Sequence, residues 1–92
     1  MTRLSDAEID KRLSGLDGWE RFGDAIVKQF DNDDFNGSVD FVNRLASEAE
    51  EMNHHPDLEI SWKTVTVTIS THSEGGLTEN DFQLARRIDA LD

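Results

Sequence analysis

Residues 53–72 read Asn53-His54-His55-Pro56-Asp57-Leu58-Glu59-Ile60-Ser61-Trp62-Lys63-Thr64-Val65-Thr66-Val67-Thr68-Ile69-Ser70-Thr71-His72. Pro56 pushes its predecessor out of helical geometry, so a helix arriving from upstream must stop before it. Beyond it, residues 58–62 and 65–70 alternate apolar and polar side chains with period two. They are also rich in β-branched residues, the mark of half-buried strands. A two-residue turn at Lys63-Thr64 predicts a hairpin. That turn sets Trp62 opposite Val65, Ile60 opposite Val67 and Leu58 opposite Ile69. The same register carries His55 opposite His72 at the open end, where cross-strand Cβ atoms stand roughly 4.5–5.5 Å apart. Lys63-Thr64 is not a favoured turn pair, so a longer loop remains open.

Upstream, residues 35–52 predict one long helix. Phe35, Val39, Val42, Leu45, Ala46, Ala49 and Met52 recur at spacings of three and four, which makes one apolar face. Before it, Asp31-Asn32-Asp33-Asp34 lacks the central Gly and closing Glu of a calcium loop. It reads as a turn ending in a helix N-cap. Glu48, Glu50 and Glu51 crowd the helix's last turns, where negative charge opposes the macrodipole. On spacing alone Glu50 is a solvated surface carboxylate.

At the N-terminus Ser5 and Glu8 form a capping box, with Leu4 and Ile9 as a hydrophobic staple. The stripe continues through Leu13 and Leu16, and Gly15 and Gly18 close the helix. Residues 19–22 and 25–30 predict two short strands about Gly23-Asp24, with Trp19 and Phe30 in the core. Gly75-Gly76 gives a flexible turn. A last helix then starts with Thr78 as cap, Leu77 and Phe82 as staple, and Leu84, Ala85, Ile88 and Leu91 as stripe. Asp81 sits where a capping box carries Glu or Gln, which gives it a local capping role. The order α-β-β-α-β-β-α predicts an α+β fold: a four-stranded antiparallel sheet with helices packed on one face.

The chain has 92 residues, which predicts a single domain over 1–92 with a thin core. It has no cysteine, which excludes disulfides and thiol catalysis. No apolar run approaches a membrane span, and the N-terminus lacks the apolar core of a signal peptide, so a cytoplasmic location is expected. The formal net charge is −11. It disfavours nucleic acid, whose binding draws on Lys and Arg, and anionic membrane surfaces. Asp (12) exceeds Glu (8), and Lys11, Lys28 and Lys63 are the only lysines. Adaptation to high salt and an ordinary acidic composition both fit.

The three histidines are His54, His55 and His72. Imidazole, with an unperturbed pKa of about 6.5, exchanges protons near neutrality. Three readings stand. The histidines are structural and hydrogen-bonded; or they hold a metal, as three-histidine sites do; or they form a metal-free acid–base set. Adjacent residues in extended chain point apart, which hinders chelation by both His54 and His55. The helical His-Glu-x-x-His arrangement is absent.

The segment Glu50-Glu51-Met52-Asn53-His54-His55-Pro56-Asp57, with Val65, Val67, Thr71-His72 and residues 75–85, resembles the pterin-4a-carbinolamine dehydratases. Gly18-Trp19, Phe30, Phe35 and Phe41 agree more loosely. The resemblance implies metal-free loss of water from a 4a-hydroxy-tetrahydropterin, with no cofactor. It implies acid–base roles for His54 and His72, and a role in binding and orienting the substrate for His55. Glu50, Pro56, Thr71, Ser73 and Glu74 match substrate-binding positions, and Glu50 and Asp81 match carboxylates that orient an imidazole. Leu58 stands where some animal members carry Trp, and Asn53 where some carry Asp. These departures imply altered affinity with activity kept. The family forms dimers and tetramers, so a homo-dimer or homo-tetramer is expected. Some members serve as a dimerisation cofactor for a transcription factor, so a non-catalytic pterin-binding or interaction module is the alternative.

The charge generates one prediction. Salt screens self-repulsion on a thin core, so the melting temperature should rise between low and molar KCl. An unchanged or falling value removes the high-salt reading.

Overall fold

The computed structural model describes residues 2–92. Its elements are α1 (Asp6–Leu13), β1 (Glu20–Phe22), β2 (Ala25–Asp31), α2 (Phe35–Met52), β3 (Asp57–Ser61), β4 (Thr64–Ile69), a short 3-10 turn (His72–Glu74) and α3 (Glu79–Asp89). The order matches the expected α-β-β-α-β-β-α. The sheet is antiparallel throughout, in the order β1-β2-β4-β3.

Register explains which face is covered. Ile26 pairs with Ile69 and Phe30 with Val65, and Val67 lies on the same face. All five side chains are buried. They meet Ile9 of α1, Phe41, Leu45 and Ala49 of α2, and Phe82, Leu84, Ala85 and Ile88 of α3 in one core. Phe30 bridges Trp19, at 6.0 Å edge-on, and Phe41, at 4.9 Å between ring centroids. Trp19 and Phe30 are therefore core, as expected. On the opposite face the alternate residues Thr64, Thr66 and Thr68 are only half-buried.

The caps form where the sequence placed them. Ser5 and Glu8 exchange hydrogen bonds at the start of α1. Asp34 caps α2 by accepting from the Gly37 N–H at 2.7 Å. The acidic end of α2 is offset by α3, whose Arg87 reaches Glu48 at 3.4 Å and Glu51 at 3.0 Å. Arg12 of α1 lies 2.5 Å from Glu79 at the start of α3, which also takes Arg86 at 2.9 Å. Arg12, with Arg86 adding to it, holds the Glu79 carboxyl below the usual range.

Three expectations are corrected. The β3–β4 turn is Trp62-Lys63, so Ile60 faces Val65 and Leu58 faces Val67. This is a shift of two residues, which keeps every side chain on its face. Trp62 then takes φ +53 at the first turn position, where a two-residue hairpin turn favours Gly. Pairing stops at Asp57 with Thr68, so His55 and His72 are not cross-strand partners. On α2 the buried residues are Ser38, Phe41, Leu45 and Ala49, while Phe35 and Ala46 are exposed. The apolar stripe of that helix is wider than the core can cover, and Phe41 is the side chain at its centre. The turn expected at Gly75-Gly76 is present. Thr71 and Gly76 exchange both backbone hydrogen bonds, at 3.3 and 3.4 Å, with Gly75 at φ +68. Gly76 is packed against Arg3, whose Cδ would lie 2.5 Å from any added Cβ.

The left-handed Trp62 yields a prediction. A non-glycine side chain in that region costs about 1–2 kcal/mol, and glycine's greater unfolded-state entropy returns part of the gain. Trp62→Gly should therefore stabilise the fold by roughly 0.5–1 kcal/mol. Chemical denaturation checks it, and a destabilised variant would mean that the Trp62 contacts outweigh the strain.

Candidate active site

The first histidine is positioned by the end of α2. Asn53 takes a left-handed conformation (φ 52, ψ 42), which Asn tolerates better than other non-glycine residues. The His54 N–H then reaches back to Ala49 O at 3.0 Å, and the Asn53 N–H to Glu50 O at 3.1 Å. These paired bonds make a Schellman motif and satisfy the last carbonyls of the helix. Pro56 cannot continue a helix, so the chain leaves as β3. The His54 backbone is thus fixed on both sides.

Its ring is fixed by Asp81. His54 Nε2 lies 2.5 Å from Asp81 Oδ1, with the histidine side chain 11% exposed and the aspartate 0%. The second oxygen, Oδ2, accepts the Thr71 hydroxyl at 2.8 Å and the Thr78 backbone N–H at 2.8 Å. Asp81 therefore holds its capping position and orients His54 at once. A buried carboxylate is tolerable only when its lone pairs are filled. Among the described residues no buried side-chain nitrogen or oxygen lacks a partner.

His55 is different. It is exposed, and its Nε2 contacts Glu50 Oε2, itself 73% exposed. Glu50 is thus both a surface carboxylate and a histidine partner. His72 opens the 3-10 turn, is exposed, and has Nε2 3.4 Å from Ser70 Oγ. Ser73 and Glu74 lie exposed on the same turn, and Pro56 is half-buried beside the two adjacent histidines. Thr71 is buried. Its hydroxyl meets Asp81 and Thr78, and its backbone meets Gly76.

The structure therefore joins His54, Asp81 and Thr71, and through Thr71 the turn bearing His72, Ser73 and Glu74. His55 and Glu50 form a separate exposed pair beside it. The sequence reading missed Thr78 as a site residue. Its signal was the capping position, since a cap bonded to a buried carboxylate belongs to that carboxylate's surroundings. No group of three or more His, Cys, Asp or Glu among the described residues is arranged to hold a metal ion.

A helix-backed antiparallel sheet with imidazoles at the open end of its β3–β4 hairpin, one of them locked to a buried carboxylate, defines a small α+β protein whose site carries groups of the kind that exchange protons. The profile of the family described as "Pterin 4 alpha carbinolamine dehydratase" matches residues 2–91. A protein of Thermosynechococcus vestitus, provisionally named pterin-4-alpha-carbinolamine dehydratase, is 49% identical over 97% of this chain and 94% of its own length. One of Mycobacterium tuberculosis with the same provisional name is 44% identical over 99% and 97%. The crystal structure of a transcriptional coactivator/pterin dehydratase from Brucella melitensis superposes with TM-score 0.94, at 37% identity and 98% coverage of both chains. A pterin dehydratase-like RuBisCO assembly factor of the alpha-carboxysome shares the fold alone, with TM-score 0.64 at 24% identity over 79% of this chain and 84% of its own. The chain belongs to the pterin-4-alpha-carbinolamine dehydratase family.

Proposed function

We propose that the protein removes water from a 4a-hydroxy-tetrahydropterin, giving the quinonoid dihydropterin, by acid–base work of its histidines. The observation that supports this most is the pairing of His54 with the buried Asp81 at 2.5 Å in a chain of this family. The C4a–O bond breaks and its electron pair leaves with the oxygen, which takes a proton and departs as water. The ring N5 gives up its proton, and its electrons form the N5–C4a double bond. One proton is delivered and one removed, with no change of oxidation state. An acid and a base suffice for that balance.

His54 and His72 are the proposed pair. His54 is held rigidly, and His72 stands on the turn whose neighbour Thr71 is bonded to the same carboxylate. His55, with Glu50, binds and orients the pterin from the exposed side. Pro56, Ser73 and Glu74 are the further proposed substrate contacts. No metal and no cofactor take part in this scheme, and pterin recycling is the corresponding physiological role.

A positioned acid or base contributes typically about 10²–10⁴-fold in rate. His54→Ala and His72→Ala should each lower turnover within that range, and their losses should combine less than multiplicatively if the two act as a unit. His55→Ala should act more on KM. Chelator should change nothing. The assay is turnover of 4a-hydroxy-tetrahydropterin by single and double variants, with and without chelator, beside elemental analysis. Near-normal turnover of the double variant removes the histidines as catalysts, and loss of turnover with a stoichiometric metal removes the metal-free scheme.

The alternative is a non-catalytic pterin-binding or interaction module. What favours an interaction role is surface apolarity: Phe35, Leu58, Ile60 and Trp62 are 53%, 38%, 38% and 67% exposed. We assign these side chains first to self-association as a homo-dimer or homo-tetramer. Light scattering should show more than one copy at working concentration. A fully active monomer would overturn this.

A further inference from the structure

We infer that Thr71 is a positioning residue of the site: its hydroxyl, backed by Thr78, holds Asp81 so that His54 keeps its proton on Nε2 and works through Nδ1. The inference rests on the acid–base role proposed for His54. An ionised carboxylate only accepts hydrogen bonds. The 2.8 Å contact from Thr71 Oγ1 to Asp81 Oδ2 therefore uses the one proton that the Thr71 hydroxyl has. In the 2.9 Å contact between the two threonine hydroxyls, Thr78 must then be the donor. The line of donation runs from Thr78 to Thr71 to Asp81 Oδ2. The Thr78 N–H, at 2.8 Å, fills the rest of that oxygen. Only Oδ1 is left for His54, at 2.5 Å.

The consequence for the imidazole is tautomeric. In the neutral ring one nitrogen carries hydrogen and the other accepts. Facing a carboxylate oxygen, Nε2 must carry it. Nδ1 then holds the free lone pair and is the atom that takes the substrate proton, or returns one once both nitrogens are protonated. Nδ1 has no hydrogen-bond partner among the described residues, yet no buried side-chain nitrogen is left unpartnered, so Nδ1 reaches solvent.

This gives Thr71 a different task from its neighbours Ser73 and Glu74. It is buried, its hydroxyl and both backbone groups are engaged, and it links the carboxylate that holds His54 to the turn that starts at His72. Thr71→Val removes the donor to Oδ2 and the acceptor of the Thr78 hydroxyl while keeping the branched shape. Oδ2 then keeps only the Thr78 N–H, so the carboxylate is held less firmly and the imidazole with it. Misplacement of a reacting group by about 1 Å can cost on the order of 100-fold in rate.

The test pairs kinetics with 15N spectra of the histidine rings in the whole protein. In the wild type and in Thr71→Ser, neutral His54 should be the Nε2–H tautomer, with kcat within about threefold of each other. In Thr71→Val the two tautomers should mix and kcat should fall about 10–100-fold, with KM nearly unchanged. A wild-type His54 in the Nδ1–H form overturns the inference even if Thr71→Val does not fold. So does a Thr71→Val protein with raised KM and unchanged kcat, which would make Thr71 a substrate contact. The spectra read the positioning whether or not the protein turns over the pterin. Absence of turnover with the expected tautomer therefore counts against the reaction alone.

Discussion

The Asp81 carboxylate is the constraint on which the site depends. It is buried, and it gathers three donors from three parts of the chain: the His54 ring after α2, the Thr71 hydroxyl after β4, and the Thr78 N–H at the start of α3. Burying an ion costs several kcal/mol unless its hydrogen bonds are complete, and losing one partner leaves the charge exposed to that cost. Each of the three segments is therefore held by the other two. That mutual dependence is what allows a chain of 92 residues, with a thin core, to keep exposed loops in fixed positions.

The rest of the fold serves to bring those segments to one place. β4 is central in the sheet and fully covered on one side, so its end at Ile69 is a rigid point from which Thr71 and His72 emerge. α2 ends on the left-handed Asn53, whose backbone bonds aim His54 before any side-chain contact forms. α3 starts with a buried staple, Leu77 and Phe82, that seats Thr78 and Asp81 against the core. The Leu4 N–H adds a bond to Leu77 O at 2.8 Å, and Arg3 covers Gly76, so the N-terminal segment also braces this turn.

Most of the fold was legible because local chemistry and global packing agree in this sequence. The caps at Ser5, Asp34 and Thr78 and the stop before Pro56 all lie where short-range rules place them. The hairpin register was not, for a definite reason. A slip of two residues preserves both the alternation and the apolar pairing, so Ile60 satisfies Val65 as well as Val67. Only the turn discriminates, and it uses a strained Trp62 that turn preferences argue against. The convergence expected from His55 opposite His72 therefore comes about another way, with His54 linked to the Thr71–His72 turn through Asp81. Capping and imidazole orientation had stood as alternative roles for that aspartate. With two oxygens it performs both.

The two adjacent histidines then differ for a physical reason. Each presents Nε2 to a carboxylate, but the surroundings are opposite. His54 and Asp81 are 11% and 0% exposed, while His55 and Glu50 are 56% and 73% exposed. An exposed pair is weakened by water and by the entropy of holding two free side chains, so it contributes little and exchanges readily. A pair enclosed among further donors keeps one geometry, because any rotation of the carboxylate breaks the Thr71 and Thr78 bonds as well. Proton transfer needs a fixed distance and angle, whereas recognition of a flat, polar ring tolerates adjustment. In the proposed reaction, rigidity therefore suits His54 to the chemical step and mobility suits His55 to substrate capture. The division follows from what each imidazole's carboxylate is itself attached to.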